Sequence, residues 1–501
     1  MPCQRPAQAD PCQRLRCPTR DTIRQYSDTR SDRQGVAVVI EIRPRNRQNL
    51  RNLLLQTGVP VPGDCGGNGT CGKCRVLVNG SPVLACQFIP RTPVQVAVDF
   101  PVAEETTSPR RPKSAQLRLA ADIGTTTIAL AVVDRLRKRI KRQETMLNPQ
   151  TRYGADVLSR IVQAAEVKKI RLAELLARYG EEIGLDRRYP VIAVGNTVMM
   201  HFLFGKNPFT LGTYPYRSRL PLRQILDARI DSLLIRTLPL LGSFIGSDCT
   251  AAILASGLYK NRRPCLLIDA GTNGELVLGN RERLIACSTA AGPAFEGATL
   301  ACGALALPGA IHACRYRPEG WELSTVRNRP PVAICGSGVL DAVAEGLKAG
   351  MILPSGRLRC GDRLLLHPDE QNPVYLSQSD LREVQLAKAA ITAGIRILLR
   401  KWFGTDRTAS TMLDRIFITG RFGSRINPDS AFTIGLLPRF NIQRIRQHQD
   451  LALAGAVRAT LNPELLKTAT AIAGRCQEIV LAEEPEFEEL FVECMELKPW
   501  G

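Results

Sequence analysis

Apolar and polar positions change rhythm twice along the chain. Residues 1–34 are polar and Arg-rich with no period, which predicts a flexible tail or a start codon placed too early. From residue 35 the pattern becomes structured: 36–42 reads as a strand, 49–55 as one short helix, and 75–78 and 94–98 as further strands, with Asn79-Gly80 a hairpin turn. A Gly- and Cys-rich loop interrupts this small β-rich domain, assigned to residues 35–100. Residues 101–116 bring Glu, Thr, Ser, Pro and Arg with almost no large apolar side chain, the composition of a solvated linker. Residues 117–501 then read as α/β. Strand-length apolar runs stand at 117–121, 128–133, 191–194, 266–268, 275–278 and 416–419, and helical periods at 155–179, 338–349 and 381–403.

One pattern occurs twice in this region. An apolar run ends in Asp122-Ile-Gly124-Thr125 and again in Asp269-Ala-Gly271-Thr272, each time followed by a second strand. Two strand-turn-strand copies separated by about a domain length imply duplicated halves facing across a cleft. In each turn the Gly brings backbone N–H groups against phosphate oxygens, and the hydroxyls of Thr125, Thr126 and Thr272 add donors. Asp122 and Asp269 repel bare phosphate, so a hydrated Mg²⁺ between them and a nucleotide would remove the repulsion and orient water.

Other positions carry two readings each. Gly420 and Gly423 form a turn that lets a purine approach the backbone, or a plain loop, and Gly336-Ser337-Gly338 opens a helix toward phosphate or ribose, or is equally plain. Asp248 is a general base or a helix N-cap. Glu296 holds metal through water or makes a buried hydrogen bond. The basic run Arg135–Arg142 is a solvated hairpin, or a docking site for an acidic partner surface.

Composition narrows the classes. At 501 residues, 44% hydrophobic and 23% charged, the chain is a multidomain globular protein, neither disulfide-stapled miniature nor disordered. No apolar run reaches the ~20 residues of a membrane helix, and the first thirty residues lack the apolar stretch of a signal peptide, so the 16 cysteines are expected reduced, in the cytoplasm. Net charge of +20 suits phosphate ligands, nucleic acid or acidic surfaces, but 5% aromatic content argues against a single-strand nucleic-acid binder.

The cysteine loop is the most specific local signal. Cys65, Cys71 and Cys74 lie in CGGNGTCGKC, with Cys86 following in LAC. Four soft sulfur ligands suit a two-iron cluster, two per iron, and the interspersed glycines let N–H groups turn toward cluster sulfurs. A zinc ribbon usually shows two Cys-x-x-Cys pairs, and only Cys71 and Cys74 form one here. Gly67-x4-Gly72-Lys73 imitates a phosphate loop, but Cys74 stands where Ser or Thr is needed and a strand follows. Cys249, Cys265, Cys287, Cys302, Cys314, Cys335 and Cys360 have no cluster spacing and read as small buried residues.

Together, the cysteine loop and the motifs ADIGTTT, VGNTVMMHFLFG, IDAGTNGE, AAGPAFEGA, CGSGVLD and ITGRFGS resemble the reductive activators of corrinoid proteins from about Val36 onward. The resemblance implies a small β-grasp 2Fe-2S ferredoxin-like domain followed by a duplicated domain of the actin, chaperone-ATPase and sugar-kinase (ASKHA) superfamily. It places Cys65, Cys71, Cys74 and Cys86 on the cluster. Asp122, Gly124, Thr125, Thr126, Asp269, Gly271, Thr272 and Asn273 would surround Mg²⁺ and the phosphates of ATP, with Gly420 and Gly423 near the adenosine. The implied activity is ATP-dependent reduction of a corrinoid Co(II) to Co(I), by a homodimer supplied from an upstream low-potential donor. Family members often carry a further small domain before the first phosphate turn, where this chain has only the short linker. The competing readings are a small-molecule kinase bearing a redox cluster, with Asp248 as base, and an electron-transfer adaptor whose docking is regulated by nucleotide.

Overall fold

The computed structural model describes residues 37–42, 48–56, 61, 74–79, 81–99, 117–154, 156–230, 233–297, 300–304, 306–359, 361–370, 372–406, 409–423 and 425–500. The expected tail and linker, Cys65, Cys71 and Cys360 lie outside the described residues. The chain divides into two compact units, Met1–Glu105 and Thr106–Gly501.

In the first unit the strands are β1 (Ala37–Ile42), β2 (Arg75–Val78), β3 (Ser81–Leu84) and β4 (Val94–Asp99), in sheet order β1-β4-β2-β3 and antiparallel throughout. Asn79 takes the positive φ (51°) of the expected hairpin turn between β2 and β3, a conformation Asn tolerates better than most residues. The helix Leu50–Gln56 turns Leu50, Leu53 and Leu54 onto Ile42, Val76, Val78, Val94 and Val96. Cys74 and Cys86 belong to the same core.

The second unit holds the duplication. Its first sheet is built from β5 (Leu117–Ile123), β6 (Thr127–Asp134), β7 (Arg139–Leu147), β8 (Val191–Val194), β9 (Leu226–Ile230) and β10 (Leu233–Thr237), in order β7-β6-β5-β8-β10-β9. Its second uses β11 (Cys265–Ala270), β12 (Gly274–Gly279) and β13 (Leu284–Thr289). Three strands, β14 (Ala310–Arg317), β15 (Gly320–Thr325) and β16 (Ala333–Ile334), and a pair, β17 (Arg363–His367) and β18 (Val374–Ser377), form small sheets beside it. The second large sheet is completed by β19 (Ile416–Thr419), β20 (Ile445–Gln447) and β21 (Cys476–Glu478), in order β20-β19-β11-β12-β13-β21.

Aligned from their first strands, five strands of each sheet share one topology, while the sixth differs: β9 adds antiparallel beside β10, and β21 adds parallel beside β13 at the opposite edge. The leading strand pairs antiparallel with the next, which pairs antiparallel with the third, while two later strands add parallel on the other side. β5 and β11 are therefore equivalent, and each ends in an Asp-x-Gly-Thr turn. Because both strands are buried on both faces, they read as continuous apolar runs, which is why the sequence located them.

Helices Ser247–Ser256 and Leu451–Leu461 cross between the halves. A Cβ on Gly455 would stand 2.1 Å from the Ala251 carbonyl oxygen, so the backbones approach as closely as glycine permits. One expected element differs. The helical period over 155–179 is divided into Val157–Val162, Ala164–Val167 and Leu172–Glu182. Gln163 leaves helical geometry (φ −96°, ψ 22°), and Arg160 on the first piece turns wholly inward to bind backbone of the first phosphate turn. Periodicity cannot register a tertiary bond of that kind. By contrast, 381–403 is one helix, Gln378–Phe403, started by a Ser377/Asp380 capping box.

Candidate functional site

In the first unit the two described cysteines of the loop converge. Cys74 and Cys86 are 1% and 5% exposed, and their Sγ atoms stand 3.1 Å apart, too far for a disulfide and close enough to share a metal. The Cys86 N–H points at Cys74 Sγ (3.4 Å), and Gln87 Nε2 lies 3.8 Å from Cys86 Sγ. Donors aimed at sulfur stabilise thiolate character, so this pair fits iron ligation. Their partners from sequence, Cys65 and Cys71, lie outside the described residues. The other described cysteines are dispersed through the second unit's core, with Cys302 half-buried, and burial pushes the Cys249, Cys265, Cys287, Cys314, Cys476 and Cys494 thiols up, which keeps them protonated.

In the second unit, Asp122 and Asp269 sit near the carboxyl ends of β5 and β11, the end at which open α/β sheets take ligands. Asp248, Glu275 and Asp450 join them. Burial, then the fields of Asp450, Asp248, Asp269 and Glu275, raises Asp122 well above the usual carboxylate range. Burial with Asp248 and Asp450 pushes Asp269 up to about 7, and burial lifts Asp248 to about 6 against the hydrogen bond from Cys249 N–H. Glu275, opposite Asp269 in the β11–β12 ladder, is raised most by burial, then by Asp248 and Asp269. Such a set calls for a cation. Among the described residues no three close tightly enough to hold a metal directly.

The two phosphate turns face each other. Thr126 Oγ donates to Glu296 Oε2 (3.3 Å), while Glu296 Oε1 lies 3.6 Å from the place a Cβ of Gly271 would occupy, so Glu296 bridges the turns. Glu296 is half-buried and makes this hydrogen bond from the mouth of the second turn. Asp248 is not the N-cap: Gly246 holds that position and Asp248 is the second residue of the helix, its carboxylate taking the Cys249 N–H. Gly246 is there because a Cβ would meet the Gly195 carbonyl at 2.2 Å. Gly420 (φ 90°) presses on β11, where a Cβ would come within 2.7 Å of Asp269 Oδ1. Gly423 packs on Ile418, and Gly338 needs its missing side chain to clear the Ile311 carbonyl, 2.3 Å away, with Gly336 buried at the helix start.

Beside Asn273 a cavity of about 200 Å³ is lined by Asn196, Ser243, Phe244 and Thr289. A larger open hollow of about 500 Å³ around Arg400, Asp406 and Glu486 is lined by charges already paired with one another, a structural network.

A model described as the 2Fe-2S iron-sulfur cluster binding domain matches residues 34–91. The RACo middle region matches 117–261 and the C-terminal ASKHA domain of RACo matches 263–500. The corrinoid activation enzyme RamQ of Eubacterium limosum is 33% identical over 417 residues, 75% of this chain and 69% of that protein. The chain belongs to the reductive activators of corrinoid proteins. Another relative, the [Co(II) methylated amine-specific corrinoid protein] reductase of Methanosarcina barkeri, is 28% identical over 282 residues, covering 51% of this chain and 50% of its own. A solved reductive activator for corrinoid, iron-sulfur protein superposes with a TM-score of 0.68 at 25% identity, over 90% of this chain and 96% of its own.

For this activator the fold is therefore the expected one, a 2Fe-2S domain followed by an ASKHA domain. Sequence reading missed Glu275 and Asp450 at the site. Glu275 was within reach, since hairpin register sets it opposite Asp269; Asp450 showed only as an acid before an apolar helix, whose N-terminus it caps through Leu453 N–H (2.7 Å).

A pH dependence follows. Carboxylates raised in the folded state bind protons there that the unfolded chain has released, so their contribution to stability is complete below the ordinary value of 3.8 and is lost as pH rises from there to about 6 for Asp248 and about 7 for Asp269. Nucleotide-free protein is expected to lose melting temperature across that window more steeply than Asp269→Asn, measured in parallel. Equal slopes would show that Asp269 is not raised above the ordinary carboxylate range.

Proposed function

We propose that this chain delivers single electrons to the Co(II) of a corrinoid protein and couples delivery to ATP. The observation that carries the reading is the presence on one chain of a ferredoxin-type unit with converging buried thiols, Cys74 and Cys86, and a duplicated cleft with opposed Asp122 and Asp269. The 2Fe-2S cluster, held by Cys65, Cys71, Cys74 and Cys86, supplies the electron. Asp122 and Asp269 hold hydrated Mg²⁺, with Asp248, Glu275 and Asp450 adding negative charge. Gly124, Thr125, Thr126, Gly271, Thr272 and Asn273 present donors to the phosphates, Gly336 and Gly338 border them, and Gly420 and Gly423 adjoin the adenosine side.

Co(I) is the methyl-accepting state, and an electron raised by ~100 mV needs about 2.3 kcal/mol. ATP meets this need if it binds the reducing arrangement more tightly than the resting one, since a ligand shifts an equilibrium only by its differential affinity. The protein acts as a homodimer in the cytoplasm, reduced by a low-potential donor. Among the described residues no helix is long and apolar enough to cross a membrane.

With anaerobic protein, a reductant and a corrinoid partner, cob(I)alamin absorbance is expected only when MgATP is present, with the γ-phosphate recovered as inorganic phosphate. Equal reduction without nucleotide would overturn the coupling. Label transferred to a metabolite would instead establish a kinase with Asp248 as base.

A further inference from the structure

The first phosphate turn is held from behind by side chains. Asn148 Nδ2 donates to the Gly124 carbonyl (2.8 Å), the Arg160 guanidinium to the Thr125 carbonyl, and the Asn148 backbone N–H to the Thr126 carbonyl (2.9 Å). Asn148 and Arg160 are both 0% exposed. A trans peptide is planar with N–H opposite C=O, so drawing the carbonyls of Gly124 and Thr125 inward turns the N–H groups of Thr125 and Thr126 the other way. Among the described residues neither N–H has an acceptor. Asn196 Nδ2 fixes the Thr125 hydroxyl (2.9 Å).

The second turn is built differently. There Thr272 O accepts from Gly292 N–H and Asn273 O from Gly271 N–H. Among the described residues, only the first turn has a buried cation bonded to one of its carbonyls. That cation is under-compensated: Arg160 donates to the Gly154 carbonyl (3.0 Å) and reaches Met199 sulfur (3.5 Å), while Asp156, the acid whose field it feels, is engaged by Ser159. Burial lowers Arg160 to about 10, which still leaves it charged at neutral pH. A buried guanidinium whose one neighbouring acid makes no salt bridge to it among the described residues is costly to hold unless something supplies further negative charge nearby.

We propose that Arg160 and Asn148 are positioning residues for the nucleotide phosphates, aiming the N–H groups of Thr125 and Thr126 into the cleft and placing a fixed positive charge behind them. Arg160 acts through the Thr125–Thr126 peptide, whose N–H becomes a stronger donor when its carbonyl is bound to a cation. The inference rests on the nucleotide-binding reading above and adds to it the residues that shape the first turn.

The test uses full-length, cluster-loaded protein and measures the MgATP dissociation constant together with melting temperature, with and without MgATP. Arg160→Met is expected to weaken MgATP at least about tenfold, the scale of a lost charge-assisted hydrogen bond, and to erase the nucleotide-induced rise in melting temperature. Nucleotide-free melting is expected to change little, and Arg160→Lys to recover part of the affinity. A purely structural arginine gives the opposite: a lower nucleotide-free melting temperature with wild-type MgATP affinity, which would overturn the proposal. Should Arg160→Met not fold, Asn148→Ser keeps the cation and frees the Gly124 carbonyl; it is expected to weaken MgATP several-fold, and unchanged affinity would overturn the proposal. Wild-type protein that binds no MgATP would overturn the underlying nucleotide reading itself.

Discussion

Cys86→Ser will produce a folded protein that carries no 2Fe-2S absorbance and delivers no electrons, with or without ATP. Cys86 and Cys74 present their sulfurs 3.1 Å apart inside the core of the first unit. An iron that loses one of its two thiolates keeps an open position, and a hydroxyl is a poor substitute for soft sulfur. Reduction of the corrinoid is therefore expected to fall to the level seen without protein. MgATP binding should persist, because the nucleotide cleft belongs to the other compact unit. Cys302→Ala, a half-buried cysteine outside the loop, is the control and should leave iron content unchanged. Iron analysis and the visible spectrum decide the matter: Cys86→Ser with wild-type iron and colour would remove Cys86 from the cluster, and zinc in the wild type would remove the cluster.

Asp122→Asn combined with Asp269→Asn is the second large effect, and its sign separates function from stability. Each acid is raised by burial and by the other acids of the cleft, so removing two of the charges relieves repulsion in the empty protein. Nucleotide-free melting temperature should stay level or rise. Metal affinity should fall about 10–100-fold for each lost carboxylate, on the scale seen for groups that orient a hydrated ion. ATP-dependent cob(I)alamin formation should then disappear while the cluster remains reducible. If the doubly substituted protein still reduces its partner at the wild-type rate with ATP, the cleft regulates docking at most, and the adaptor reading stands.

The features that could be read before the fold are local ones. Strands β5, β8 and β19 stand out because they are buried on both faces, and the turns after β5 and β11 because Asp-x-Gly-Thr is short and repeated. The cysteine loop needs only Cys65, Cys71, Cys74 and Cys86, within 22 residues, to declare its chemistry. Failures occurred where a tertiary bond overrides a local period. The helix expected over 155–179 is broken at Gln163, and Asp248 yields the N-cap position to Gly246 because only glycine fits against the Gly195 carbonyl.

Sequence alone determined the ligand chemistry of this protein: four thiols at iron-cluster spacing and two copies of a phosphate turn, each carried by a few contiguous residues whose geometry is set by glycine and by strand burial. Tertiary structure decided which distant groups act together. Asp450 meets Asp122 and Glu296 bridges the two turns only after the duplicated sheets have packed, and Arg160 reaches the Thr125 carbonyl once its helix has docked on the first sheet. Burial and proximity between such positions arise from packing across hundreds of residues, and the charge state of the cleft depends on both. No local pattern encodes them.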